Sequence, residues 1–175
     1  MTCIVGLEHK GKVWIGGDSL GVSGLDISHR SDEKVFKNGE FVMGFTSSFR
    51  MGQILRYCLE PPEYEGGDLM EYMVKQFIPE LRITFKEEGY SWEERGDNGG
   101  NFLVGFKGKL FNIEPDFQVG IPSDGFDSIG CGTYYALGSL YNNKTKQPRQ
   151  RVIQALDTAS YFSGGVGGEY TILSK

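Results

Sequence analysis

The pair Asn38-Gly39 stands between two short apolar runs, Lys34-Val35-Phe36 and Phe41-Val42-Met43-Gly44-Phe45. No other short signal limits a chain so strongly, because this pair favours a tight turn whose flanking runs must become adjacent antiparallel strands. The arrangement recurs. Residues 2–7 and Val13-Trp14-Ile15 flank the turn chemistry of His9-Lys10-Gly11-Lys12, and residues 101–106 and 110–113 flank Lys107-Gly108. Gly16-Gly17-Asp18 is expected to close the second strand in a bend that glycine makes at low cost. A loop through Gly21, Gly24 and Arg30 is expected to lead on to Lys34.

Elsewhere the period of the apolar residues changes. Met51, Ile54, Leu55 and Cys58-Leu59 recur at helical spacing up to the stop at Pro61-Pro62. Asp68 reads as an N-cap before the stripe Leu69, Met70, Met73, Val74, Phe77, Ile78, Leu81 and Phe85, whose ordinary role is packing against a sheet. Residues 87–100 read as a polar loop, while Phe117-Gln118-Val119 and Ser128-Ile129 read as continuations of the second hairpin's sheet. Helices are expected from Thr133 and from Pro148 to about Tyr161, then a flexible turn over residues 163–168 and a last strand over 169–173. Strand blocks alternating with helix pairs predict an α+β fold, a four-layer αββα sandwich of two antiparallel sheets flanked by helices. No linker or internal repeat divides the sequence, so residues 1–175 are expected to form one domain.

Composition excludes several functions. With 18 basic and 23 acidic residues the net charge is −5, and no basic cluster offers a nucleic-acid surface. No apolar run approaches the roughly 20 residues of a membrane span and no signal peptide precedes the first strand, so a cytoplasmic protein is expected. Cys3, Cys58 and Cys131 are odd in number and widely spaced, which fits a reducing compartment. Cys3 and Cys58 read as small buried hydrophobes. With only His9 and His29 and no paired ligand motif, neither a metal nor a cofactor is expected. Glu63, Glu65, Glu71, Glu87, Glu88, Glu93 and Glu94 make the middle of the chain acidic, in the pattern of a solvated face.

Chemistry is concentrated at the front. A threonine with a free α-amine is nucleophile and base in one residue, since its hydroxyl attacks an acyl carbon while the amine takes the proton. The amine's reference pKa of about 7.7–8.0 suits a general base. Thr2 owns such an amine only once Met1 is removed, and a small second residue permits that trimming. Taken singly, Asp18 reads as a turn residue and Lys34 as a surface charge. Together with Thr2 they form a candidate site.

The stretches "TCIVGLEHKGKVWIGGDS" and "DEKVFKNGEFVMGF" resemble the opening of proteasome-type N-terminal nucleophile (Ntn) hydrolases, most strongly the bacterial double-ring peptidase of the HslV type. The resemblance is strong over residues 2–56, moderate over 101–140 through "SIGCGTYYALGSL", and slight over 61–100. It implies that Thr2 is the nucleophile, that Lys34 lowers the cost of proton loss, and that Asp18 orients Lys34. It places the backbone N–H near Ser47 at the oxyanion, with Ser48 and Gly132 in the same cleft. Gly130-Cys131-Gly132 stands where the family has Gly-Ser-Gly, so Cys131 takes the place of a supporting serine. Ser160 stands three residues before Ser163-Gly164, where some family members carry an aspartate, so both serines are expected as secondary support.

The function implied is a self-compartmentalising threonine endopeptidase that cleaves unfolded polypeptides. Its expected assembly is a homo-oligomeric ring or double ring, served by a separate ATP-dependent unfoldase because the chain has no GxxxxGK[ST]. Two other functions fit the same residues. One is a non-catalytic ring-forming protein that retains Met1, the other an Ntn hydrolase of small amides.

Overall fold

A computed structural model of the chain describes residues 1–90, 99–144 and 147–175. Its three hairpins form as the turn signals require. β1 (Cys3–His9) pairs with β2 (Lys12–Asp18), β5 (Val35–Asn38) with β6 (Phe41–Phe45), and β7 (Phe102–Phe106) with β8 (Lys109–Ile113), all antiparallel. Lys10 and Gly11 have φ of 48° and 73°, and Lys107 and Gly108 have 47° and 78°. Two successive positive values are what a type I′ turn demands. Between β5 and β6 the turn lies one residue later than expected, at Gly39-Glu40, because Asn38 pairs with Phe41. The Asn38 amide instead donates to the Leu55 and Leu59 carbonyls, at 3.0 and 2.8 Å, and so closes the end of α1 (Phe49–Tyr57).

The strands collect into two sheets. One has the order β10–β1–β2–β11, with β10 at Phe126–Gly130 and β11 at Tyr170–Ser174. The other has the order β5–β6–β7–β8–β9, with β9 at Val119–Gly120. Residues 20–29, expected as loop, form a two-stranded ribbon of β3 (Leu20–Ser23) and β4 (Asp26–His29). Ser128-Ile129 does not extend the second hairpin's sheet. It lies in β10 and pairs with β1, because a turn closed by the Gly125 N–H and the Pro122 carbonyl (3.1 Å) carries the chain across. Phe117 is not a strand residue either; it turns at φ 66° and buries its ring beside Phe85. Gly16-Gly17-Asp18 makes no bend. These residues lie buried in β2 between β1 and β11, and a Cβ on Gly17 would sit 2.6 Å from Ile4 Cδ1.

Alternation along the strands sorts side chains into separate cores. Cys3, Val5 and Leu7 of β1 pack with α4 (Thr133–Asn142) and α5 (Pro148–Phe162), while Ile4 joins Val13 and Ile15 against Val42, Leu103 and Leu110 of the other sheet. Phe41, Met43, Phe45, Phe102 and Val104 face α1 and the long middle helix. Asp68 caps that helix as expected, accepting the Glu71 N–H at 2.8 Å. It is α-helical over Leu69–Tyr72 (α2) and Ile78–Glu87 (α3), with a π-helical turn at Met73–Phe77 where Pro79 removes an N–H from the ladder. Glu63, Glu65, Glu71, Glu87 and Glu88 are exposed, as the acidic pattern predicts. Glu93, Glu94 and most of the expected 87–100 loop lie outside the described residues. Among the described residues no helix is long and apolar enough to cross a membrane.

The inner faces approach closely at Gly105, where a Cβ would lie 2.7 Å from both Val13 Cβ and Val42 Cγ1. These are stiff β-branched side chains in a packed core. The Gly105→Ala variant is therefore expected to lose about 1–3 kcal/mol of stability in urea unfolding.

Candidate active site

The register of β1 against β2 pairs Ile4 with Gly17, which brings Thr2 alongside Asp18 at the sheet's end. Thr2 Oγ1 donates to Asp18 Oδ1 at 2.6 Å, and the Cys3 N–H donates to the same oxygen at 2.9 Å. Lys34 enters from the other sheet, immediately before β5, where its carbonyl accepts the Phe45 N–H at 3.1 Å. Its ammonium has three donors and uses all of them, to Thr2 Oγ1, to Asp18 Oδ1 (3.1 Å) and to the Leu20 carbonyl (2.7 Å). Asp18 Oδ2 receives the Gly167 N–H at 3.2 Å. Both side chains of the ion pair are almost fully enclosed, at 2% and 0% exposure. Burial pulls the Lys34 amine below the usual lysine range, and the Asp18 charge opposes that pull.

Lys34 is the group that lowers the cost of removing a proton from the Thr2 hydroxyl, because its ammonium faces the oxygen where negative charge would develop. Asp18 holds that ammonium in place. The three residues singled out in the sequence are thus brought into direct contact from three separate segments.

The expected supporting residues divide. Cys131 is exposed, and its thiol donates to the Thr2 carbonyl at 3.3 Å while Ser163 Oγ contacts the sulfur at 3.5 Å. Among the described residues Ser160 forms no hydrogen bond with Thr2. It stands behind the loop, where a Cβ on Gly167 would lie 3.8 Å from its hydroxyl. Gly132 is buried, and a Cβ there would meet Cys3 Cβ and Ala159 Cβ at 2.8 Å. Ser48 is the N-cap of α1, accepting the Met51 N–H at 3.2 Å. The loop over residues 163–168, expected to be flexible, is tied down: Leu20 donates to the Gly167 carbonyl at 3.1 Å, and Gly167 holds Asp18.

Ser47 has φ of 76°, and the Ser48 N–H bonds back to the Thr46 carbonyl at 3.0 Å. This is a γ-turn of the rare positive-φ kind, a strained conformation of the sort that accumulates at functional sites. The Thr46 N–H is taken by the Asn101 carbonyl at 3.1 Å. Among the described residues, the Ser47 N–H alone of the three has no acceptor.

Sequence reasoning missed four groups at the site: the Leu20 carbonyl, the Cys3 and Gly167 N–H groups, and the Val22 carbonyl. Val22 accepts the Met1 amine at 3.3 Å. The Met1 side chain leans on the loop, where a Cβ on Gly165 would lie 2.7 Å from both Met1 Cβ and Cys131 Sγ. All four are backbone groups, invisible to residue identity. Cys3 is fully buried, as expected, and burial pushes its thiol up to about 12, so it holds no thiolate. Cys58 is only partly buried.

No protein-family model matches the sequence, and no curated protein is significantly similar to it. Solved structures are similar over the whole chain. BPH from Thiobacillus denitrificans superposes with a TM-score of 0.81 at 19% identity, covering 99% of this chain and 97% of that one. Eukaryotic HslV from Trypanosoma brucei gives 0.70 at 16% identity, covering 98% of each chain. Anbu, an ancestral β-subunit from Yersinia bercovieri, gives 0.68 at 17%, covering 99% of this chain and 81% of that one. The fold is that of the proteasome-type Ntn hydrolases. The Ntn resemblance read from the first strands therefore extends, as fold, over the entire chain, including the span where the sequence resembles the family little.

The enclosure of the ion pair sets a test. Asp18→Ala leaves Lys34 buried without a counter-charge and is expected to cost about 3–5 kcal/mol, whereas Thr2→Ala removes two hydrogen bonds, to Asp18 and from Lys34, leaves the ion pair in place and is expected to cost less, about 1–3 kcal/mol. The amine's folded pKa lies below its unfolded value, so the unfolded state binds more protons between the two and stability rises with pH across that window. Without Asp18 the amine falls further. The Asp18→Ala deficit should therefore shrink as pH is raised toward 10.5, measured by chemical denaturation at a series of pH values.

Proposed function

We propose that the chain is a threonine endopeptidase, a single four-layer αββα Ntn-hydrolase domain that cleaves unfolded polypeptides once Met1 has been removed. The observation that carries this reading is the contact of Thr2 Oγ1 with both Lys34 Nζ and Asp18 Oδ1 in an enclosed setting. Removal of Met1 would convert the Thr2 amide nitrogen into an amine. The Thr2 hydroxyl then adds to the substrate carbonyl carbon as its proton passes to that amine. Lys34 offsets charge at Oγ1, and the unclaimed Ser47 N–H donates to the oxyanion. Collapse of the tetrahedral intermediate transfers the proton to the departing amine, and water, activated by the same α-amine, releases the acyl group from Thr2.

The substrate's backbone would lie along the free edge of β3. The Val22 carbonyl points away from β4 and already holds a chain end, that of Met1. An extended polypeptide would use the same group in strand-to-strand pairing. Confining such a site inside a homo-oligomeric ring in the cytoplasm, fed by a separate ATP-driven unfoldase, would keep it from folded proteins.

One observation favours a second reading. Met1, although half exposed, has its amine on the Val22 carbonyl and its side chain beside Gly165, as a non-catalytic assembly protein retaining Met1 would have it.

An epoxyketone discriminates between them, because its two electrophilic carbons require a hydroxyl and a free amine on one residue. Thiobacillus denitrificans BPH, alike at a TM-score of 0.81 and 18% identity, has been solved in complex with epoxomicin. The expected outcome here is covalent labelling by epoxomicin and hydrolysis of an unfolded polypeptide, both abolished in Thr2→Ala. Lys34→Ala should lose activity by orders of magnitude, assayed on protein that circular dichroism shows to be folded because Asp18 is then buried without its counter-charge; an active Lys34→Ala enzyme would contradict the assignment. The rate should rise with pH through about 8 as the α-amine is freed, then fall below pH 10.5 as Lys34 loses its proton.

A further inference from the structure

The connection between α4 and α5 has a charge balance unlike the rest of the chain. Residues 128–156 carry Lys144, Lys146, Arg149 and Arg151 and no acidic residue, in a chain whose net charge is −5. Four cations are too few for a nucleic-acid surface, but one of them is held in an unusual way. Arg151 is buried, with only 9% of its surface open. Arginine is almost never buried without a counter-charge. Arg30, Arg50 and Arg56, all more exposed, have Asp32, Glu88 and Glu33 at 2.5, 2.8 and 3.8 Å. Among the described residues no carboxylate pairs with Arg151.

Its hydrogen bonds leave the guanidinium mostly unused. Nη2 donates to the Leu140 carbonyl at 3.0 Å, which closes the last turn of α4. The side chain can donate five hydrogen bonds in a planar fork, and its Nε, itself buried, finds no acceptor among the described residues. The Phe126 ring centre lies 5.9 Å from the guanidinium carbon, a cation–π contact that compensates the buried charge only in part. Leaving a charged donor buried and unpaired is costly, so the group calls for an anion.

The second observation is the helix end beside it. Helical side chains lean toward the N-terminus, so the Arg151 guanidinium is aimed over the first turn of α5. That turn starts at Pro148, contains no acidic residue, and its N-cap Gln147 makes no side-chain hydrogen bond. The Arg149 and Gln150 N–H groups precede the first bond of the helix, from the Arg151 N–H to the Gln147 carbonyl at 3.0 Å. Over its 15 residues α5 develops a partial positive charge at this end, which adds to those of Arg149 and Arg151. We propose that the notch between the last turn of α4 and the first turn of α5 binds phosphate. The donor set decides the class. A guanidinium fork and two backbone N–H groups offer more donors than the two oxygens of a carboxylate use, and they suit a tetrahedral oxyanion. Bound there, phosphate would join the ends of two helices that pack together on Cys3 and Val5 of β1.

The site lies a helix length, roughly 20 Å, from the Ser163 end of α5, and the proposal does not rest on the peptidase reading. Thermal unfolding of the full chain is followed while phosphate replaces chloride at constant ionic strength. A rise in Tm of about 3–6 °C is expected at ten times the Kd. Phosphate also stabilises proteins by exclusion from their surface, so the criterion is saturation of the rise and its loss in variants. Arg151→Gln is expected to abolish the saturable rise. Should that variant misfold, Arg149→Gln decides, because Arg149 is exposed and its loss should weaken phosphate binding about two- to fivefold. Lys12→Gln, which removes an exposed cation on β2, should leave the affinity unchanged. No saturable rise, a rise that survives in Arg151→Gln, or full affinity in Arg149→Gln would overturn the proposal. So would an equal response to acetate, or an equal loss in Lys12→Gln. Phenyl phosphate, titrated in the same way, identifies the source: equal affinity marks a phosphomonoester, weaker affinity the free ion.

Discussion

The Lys34–Asp18 ion pair is the constraint around which the rest of this protein is arranged. Two opposite charges lie 3.1 Å apart with almost no access to water. Desolvating both is expensive, and a pair of apolar side chains of similar volume would serve stability as well or better. The surroundings are built to tolerate the pair. Every proton on the Lys34 ammonium has an acceptor, and both Asp18 oxygens are filled from Thr2, Cys3, Lys34 and Gly167. What the pair provides is a positive charge held against one hydroxyl, that of Thr2.

Holding it there takes both sheets and a loop. β1 and β2 supply Thr2 and Asp18 through a hairpin whose register depends on two glycines with no space for side chains. Lys34 comes from the strand pair opposite, and the loop before β11 reaches back to fasten Asp18 and Leu20 through Gly167. Small inward residues at Gly17 and Gly105 let the sheets approach, and so let a lysine from one reach a carboxylate on the other. The site is therefore a product of long-range packing, although Thr2, the nucleophile we propose, is the second residue of the sequence.

Much of this was legible in the residues. Lys10-Gly11 and Lys107-Gly108 specified their hairpins because both positions need positive φ, and Asp68 announced its helix because a carboxylate there satisfies an orphan N–H. Thr2, Asp18 and Lys34 could be named because side-chain chemistry is written in residue identity. The misreadings have a common cause. β3 buries only Leu20 and Gly21 and all four residues of β4 are exposed, Ile27 included, so burial there does not follow an apolar period that the sequence could show. Ser128-Ile129 looked alike for either sheet, since only the crossing at residues 122–125 decides which one it joins.

Everything catalytic in this account depends on the nitrogen of Thr2. As a peptide amide it cannot take a proton; as an amine it can. The most direct measurement is mass spectrometry of the N-terminal peptide from the mature, assembled protein. The account predicts that the chain begins at Thr2 with an unmodified α-amine. An assembled protein that still begins with Met1 would contradict it.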